Sequence, residues 1–308
     1  NVNITNDRIL STPNHYAYLK IADGCDHSCS FCTIPMIRGA YKSIPMEELI
    51  NEAKNLANKG VKELILIAQD TTYYGIDIYH KQKLPELLDT LASLNLFSWI
   101  RLLYTYPINF PMELIDVYNA HKSIVPYIHL PLQHCDDKIL ENMRRPFGQE
   151  AITNLINILR TSIADLAIRT DFIAGYPLET NKEFNKLKNF IKEMNFERMG
   201  IFEYSIEENT PAALLTQHGD KLKVKRTQEL MDIYAELSIS RNRSLIGKNL
   251  KVIIDDKLDD NLYEARSQWD APEIDQVVFV NSNIQLQRGQ IVDVLINDAG
   301  NFDLSGDL

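Results

Sequence analysis

Four cysteines in 308 residues are too few for a disulfide framework, and three of them stand within eight residues of one another. Such clustering points to metal or redox chemistry rather than to crosslinks. No apolar run approaches eighteen residues, so no membrane-spanning helix is expected. The first fifteen residues, NVNITNDRILSTPNH, contain no apolar stretch of the kind a signal peptide needs. No methionine opens the chain, and residues 1–15 read as a linker from a missing N-terminal domain. Basic residues are the minority, 32 Lys and Arg against 42 Asp and Glu. The resulting net charge of −10 argues against a nucleic-acid partner, DNA included, and favours a basic one. Low-complexity segments are absent, and no internal repeat is visible beyond an alternation of strands and helices. A cytoplasmic location is expected.

Six strand–helix units follow one another. Short apolar runs at 16–22, 63–68, 99–104, 125–130, 166–174 and 199–205 read as buried strands. Between them lie helical stretches at about 45–59, 84–93, after Pro111, at 136–143, 148–161 and 180–193, and a long helix at about 221–244 closes the series. Pro45 suits the first helical position, with Glu47 and Glu48 in the first turn. In the long helix Leu230, Tyr234, Leu237 and Arg241 fall on one face. Alternation of this kind predicts parallel pairing. Six units predict an α/β fold, a partial (βα)6 barrel over residues 16–245, whose working loops leave the C-terminal strand ends. From residue 246 to 308 the texture changes to short β-rich runs, KVIID, LYEAR, QVVFV and QIVDVLI, which predict a small all-β barrel.

The loop after the first strand reads GCDHSCSFCTIPMIRG, with the spacing Cys25-x3-Cys29-x2-Cys32. Three thiolates can hold three irons of a four-iron, four-sulfur cubane and leave the fourth iron open. A zinc site is the alternative, with His27 or His15 as fourth ligand, but no second C-x2-C knuckle accompanies the loop. Cys135 lies far along the chain and reads as a buried thiol. Gly24 and Gly39 bracket the loop and suit tight turns.

Phe31, directly before the third cysteine, completes a C-x3-C-x-aromatic-C pattern that resembles the radical S-adenosylmethionine (SAM) superfamily. CDHSCSFCTIPMIRG, ELILIAQDTTYYG, HLPLQHCDDKILENMRRPF, RTDFIAGYPLET and FEYSIEENTPAA extend the likeness along the whole chain, to the methylthiotransferases of that superfamily. The resemblance implies a TRAM domain for the C-terminal barrel. It implies one four-iron, four-sulfur cluster on Cys25, Cys29 and Cys32, with SAM chelating the open iron, and a second cluster on the missing N-terminal domain. An electron donor such as flavodoxin would reduce the cluster. SAM would then give a 5′-deoxyadenosyl radical that takes hydrogen from an unactivated C–H bond, to which a methylthio group is joined. Cys135 alone cannot hold the second cluster, so this chain by itself is expected to cleave SAM without completing methylthiolation.

By the same resemblance Gln69 and Asp70, after the second strand, would meet the SAM ammonium, with helix capping as the other role for Asp70. Gln133 would meet the ribose. Gly175 would let backbone approach the adenine, or serve a simple turn. Phe31 would sit beside the adenine or in the core. Arg38 would orient a carboxylate or form a surface ion pair. Glu179 and Thr180 read as the structural start of a helix. One branch of the family modifies an adenosine of tRNA, the other an aspartate of the small-subunit ribosomal protein S-twelve. HYAYLKIADGCDHSCSFC, ELILIAQDTTYYG and ARSQWDAPEIDQVVFV resemble the second branch. Charge agrees: from Gly247 to Leu308 twelve acidic residues face five basic ones, a balance of −7 that repels a phosphate backbone and suits a basic protein.

Overall fold

The computed structural model describes residues 9–308, so part of the expected linker lies outside the described residues. Six parallel strands form one sheet: β1 (Tyr16–Lys20), β2 (Glu63–Ile67), β3 (Trp99–Leu102), β4 (Ile124–His129), β5 (Ala167–Ala174) and β6 (Arg198–Glu203). They lie side by side in chain order, β1-β2-β3-β4-β5-β6, which makes the open (βα)6 barrel expected from the alternation. Strands such as ELILI are apolar almost throughout because helices cover one face and the second domain and cavity cover the other. The outer face packs on helices such as α1 (Leu84–Ser93) and α2 (Asn181–Met194). A capping box between Thr180 and Glu183 starts α2, so Thr180 is structural.

One expectation needs correcting. Pro45 is the N-cap of the helix Met46–Asn58 rather than its first residue. The buried seam of the long helix α3 (Asp220–Arg243) runs through Arg226, Leu230, Tyr234, Ser238 and Asn242. Leu237 and Arg241 are only half-buried. Ser238 and Asn242 take the buried places because both bond the C-terminal barrel: Gln276 Nε2 donates to Ser238 Oγ, and Asn242 Nδ2 donates to Gly300 O.

Five strands close that barrel: β7 (Asn249–Asp259), β8 (Leu262–Ser267), β9 (Val277–Asn281), β10 (Ile291–Ala299) and β11 (Asp303–Asp307). Their order is β8-β9-β11-β10-β7, with β9 and β11 parallel. Sequence reasoning missed β11, whose residues DLSGD carry only one large apolar side chain. Val252, Ile254, Val278, Val280, Val294 and Ile296 alternate inward to form its core.

The barrel plugs the N-terminal end of the sheet's inner face. Charged side chains share the inward positions there with an apolar cluster that includes Ile65, Trp99, Tyr127 and Ile253. Glu63, fully buried, bonds Arg101 Nε at 2.7 Å and Arg266 Nη2 at 2.8 Å. The segment 268–275 supplies Asp270 to Arg198 at 2.6 Å and Asp275 to Arg169 at 2.6 Å and to the Tyr127 hydroxyl at 2.7 Å. Asp255 pairs with His15 and Arg266. Three of the twelve acidic residues counted above therefore work inside the molecule rather than on its surface.

Burial alone would raise the Glu63 carboxyl, yet Arg266 and Arg101 hold it below the usual range. Asp255 is likewise lowered, by His15 and Arg266 against the effect of burial. A depressed folded-state value stabilises the protein at pH above the unfolded one, about 4, and that stability is lost as pH falls through the folded value. Denaturant midpoints should therefore hold from pH 7 to 5 and drop below about pH 4. Equal midpoints at pH 5 and pH 3 would contradict this role for the interface.

Candidate cluster and cofactor site

The cysteine loop leaves the C-terminal end of β1 and is tied down at both ends. Gly24 and Gly39 have φ of +80° and +76°, and Cys25 N donates to Gly39 O across the loop neck. A side chain on Gly24 would run into the Ala40 carbonyl. Ser30 N donates to Met143 O, Ala212 N donates to Ser30 O, and Ser30 Oγ bonds the Tyr176 hydroxyl. Held so, Cys25, Cys29 and Cys32 line one wall of a cavity of about 460 Å³ at the C-terminal strand ends.

Burial pushes the Cys25 thiol up to about 11 and raises Cys32 as well, so as free thiols these groups stay protonated at neutral pH. A cation waits beside them. Arg145 is 5% exposed and forms no ion pair among the described residues. Its Nη1 lies 3.9 Å from Cys29 Sγ, its Nη2 donates to Pro131 O, and its Nε is buried without a partner. The guanidinium sits 4.6 Å from the Tyr106 ring centre and 5.1 Å from that of Phe147. A buried guanidinium without a carboxylate is costly unless an anion joins it. Thiolates on an anionic iron–sulfur cluster meet that need, so the residues present fit such a group. Among the described residues no three His, Cys, Asp or Glu side chains gather to hold a single metal ion. The histidines weighed as zinc ligands already have carboxylate partners, although His27 lines the same cavity. His27 bonds Asp70 at 2.7 Å and stacks on Tyr106 at 4.0 Å, and His15 bonds Asp255.

Sequence comparison decides the family. The model of the radical SAM superfamily matches residues 19–191, and that of the TRAM domain matches residues 246–308. Curated relatives named ribosomal protein uS12 methylthiotransferase RimO align over nearly the whole chain. One from Thermoanaerobacter sp. is 48% identical, covering 99% of this chain and 71% of its own length. One from Caldanaerobacter subterraneus is 50% identical, covering 97% and 69%. One from Clostridioides difficile is 46% identical, covering 98% and 68%. The chain belongs to the RimO family of the radical SAM superfamily. Solved structures support the fold of this RimO-family chain. Coproporphyrinogen III oxidase from Escherichia coli matches with a TM-score of 0.56 at 15% identity, over 82% of this chain and 66% of its own. The radical SAM methyltransferase TsrM from Kitasatospora setae matches with 0.54 at 17%, over 65% and 38%.

The structure brings Phe31, Gln69 and Gln133 to the cavity with the three cysteines. Gln133 sits at φ +72°, a strained conformation, and β-bridges Phe172 of β5. Asp70 is not among the cavity-lining residues. It is buried and caps the 3-10 turn Thr71–Tyr73 by accepting from Thr72 N, while its other oxygen meets His27. Arg38 ends the short helix Ile34–Arg38, exposed and outside the cavity lining. Gly175 also lies outside it, for a packing reason: at φ +76° a Cβ there would come within 2.6 Å of Lys223 Cγ on α3. Glu179 is fully buried and ties Gly175 N, His134 and Arg226 together. Cys135 is fully buried, its thiol pushed up by burial, and plays no part in the cavity. Sequence reasoning overlooked Arg145, although it stands in the quoted MRRPF; only its isolation from any acid, invisible in sequence, marks it out. Tyr104, Tyr106 and Asp171 were overlooked too, because only the folded sheet brings them to the cavity.

Proposed function

We propose that this chain is the catalytic and substrate-docking part of a radical SAM methylthiotransferase that modifies the β-carbon of an aspartate in uS12, the S-twelve protein of the small ribosomal subunit. The observation that carries the reading is the trio Cys25, Cys29 and Cys32 beside an acid-free, buried Arg145, in a chain nearly half identical to RimO relatives. Cys25, Cys29 and Cys32 would hold a four-iron, four-sulfur cluster; bound there with SAM, it supplies a carbon radical able to take hydrogen from an unactivated C–H bond. Arg145 offsets the negative charge of the cysteine sulfurs. Phe31, Gln69 and Gln133 line the space next to them and would contact SAM. The walls from β2 to β5 exclude water from the reacting atoms and fix their approach. Residues 16–245 form the radical SAM part and 246–308 the TRAM part. The second cluster implied by family resemblance would need a cysteine triad outside these 308 residues, since Cys135 stands alone. A cytoplasmic electron donor such as flavodoxin completes the set.

Deuterium tests the reading on this chain. With uS12 carrying deuterium at the β-carbon of the target aspartate, SAM and a reductant, the reconstituted protein should release 5′-deoxyadenosine containing deuterium. Product free of deuterium, or product formed only when tRNA replaces uS12, would overturn it.

A further inference from the structure

A second concavity adjoins the cysteine cavity on the side of β2 and β3. It measures about 560 Å³ and is lined by Ser28 of the cysteine loop, Tyr73 and Lys81 from the segment after β2, and Arg144. His27 and Tyr106 line both spaces and so form the wall between them, stacked with ring centres 4.0 Å apart. The groove is preformed. Gln82 Nε2 donates to Thr72 O and to Asn109 O, which ties the loops after β2 and β3 together.

Arg144 owes its place to the backbone. It follows the helix Asp137–Asn142 at φ +55°, a left-handed conformation uncommon for a long side chain. The turn sends two neighbouring arginines to different spaces: Arg145 lines the cysteine cavity and Arg144 the groove.

The rim of the groove is cationic. Lys81 and Arg144 are exposed and form no ion pair among the described residues. Lys42, also exposed and unpaired among those residues, lies between Tyr41 and Ser43, whose N–H groups donate to Asp26 and Asp77. The nearby carboxylates are occupied, Asp26 and Asp77 by those donors and Asp70 by His27 and Thr72. In a chain of net charge −10, three cations without ion pairs beside the cysteine loop make a local field of the opposite sign. On the side of β5 and β6 the sign reverses, with Glu203 and Glu207 exposed.

Behind these charges a chain of contacts leads to a cysteine sulfur. Tyr73 meets His27 edge-on with ring centres 6.1 Å apart, and His27 stacks on Tyr106. The Arg145 guanidinium covers Tyr106 at 4.6 Å and reaches Cys29 Sγ at 3.9 Å. π systems packed in this way couple a donor to an acceptor better than a solvent gap does.

We propose that this groove docks the protein that delivers the electron, an acidic one-electron carrier seated on Lys42, Lys81 and Arg144 with the His27–Tyr106 wall between it and Cys29. One electron leaves the reduced carrier and enters the cluster; no bond forms or breaks in that step. A basic protein substrate is repelled from this face, so donor and substrate are kept to different surfaces. The inference rests on the radical chemistry of the proposed function.

Its test is equilibrium binding of a flavodoxin to the reconstituted chain, with cluster reduction by that flavodoxin and by dithionite timed on the same samples. Lys81→Glu combined with Arg144→Glu should weaken flavodoxin binding about tenfold at low salt, because each reversal turns an attraction into a repulsion. At about 0.5 M salt the difference should shrink to about twofold, since exposed charges are screened. Reduction by flavodoxin should slow in step with the lost binding, while reduction by dithionite, which needs no docking, should change less than about twofold. Lys248→Glu, at an exposed cation of the C-terminal barrel, controls for net charge and should keep its flavodoxin affinity. Undiminished flavodoxin affinity in the double variant, an equal loss in Lys248→Glu, a loss indifferent to salt, or a loss of uS12 binding in place of flavodoxin binding would each overturn the proposal. So would absence of flavodoxin binding by the unaltered chain. An unaltered chain that cleaves no SAM even with dithionite would instead bring down the functional reading.

Discussion

Cys29→Ala is expected to leave a protein that folds but neither retains iron nor cleaves SAM. Cys29 is the thiol nearest Arg145, and the loop around it is fixed by backbone bonds that do not involve its sulfur, such as Ser30 N to Met143 O. Removing the sulfur should therefore spare the loop. What it removes is one of three anchors, and two thiolates leave two irons of a cubane exposed to solvent and oxidant. It also leaves Arg145 without its sulfur contact. The matched control is Cys135→Ala, at a fully buried thiol away from the cavity. That variant should keep full iron content and SAM cleavage, with a stability loss of about 1 kcal/mol or less for a small buried group. Equal iron in wild type and Cys29→Ala, or loss of iron in Cys135→Ala, would show that the cluster is held elsewhere.

Glu63→Gln should be the most destabilising single change outside the cysteine loop. Glu63 is fully buried and is, among the described residues, the sole anion paired with Arg101, itself fully buried, while Arg266 has Asp255 besides. Neutralising Glu63 leaves the Arg101 guanidinium charged, dry and supported only by Gln268 O and the Tyr127 ring, 4.8 Å from its centre. An uncompensated buried charge of this kind costs about 3–5 kcal/mol. Changing both partners, Glu63→Met with Arg101→Met, removes the unpaired charge and should cost less than the single change. Chemical denaturation of the three proteins checks this. A Glu63→Gln loss under about 1 kcal/mol, or a double variant worse than the single, would mean that the interface does not depend on this pair.

Much of the fold is legible in sequence because local and tertiary preferences agree there. ELILI, WIRL and AIRTDFIA stand as strands between helices whose ends carry recognisable signals, such as the Thr180–Glu183 box. The cysteine loop is legible because its ligands are adjacent in sequence. Legibility fails where a residue's role depends on what another part of the chain brings to it. Arg101, Arg169 and Arg198 look like odd charges in buried strands until Glu63, Asp275 and Asp270 arrive beside them. The acidity of the C-terminal barrel looks like surface charge for the same reason, although Asp255, Asp270 and Asp275 are spoken for within the molecule. Asp70 and Gly175 show the converse: each stands next to a strand end where cofactor contacts are expected, yet one caps a turn and the other makes room for Lys223.

The central claim is that three cysteines hold one open-sided cluster on this chain. Iron and acid-labile sulfide counted per chain after anaerobic reconstitution test it most directly. About four of each are predicted, falling to near zero in Cys29→Ala. One zinc and no sulfide, or about eight irons, would contradict it.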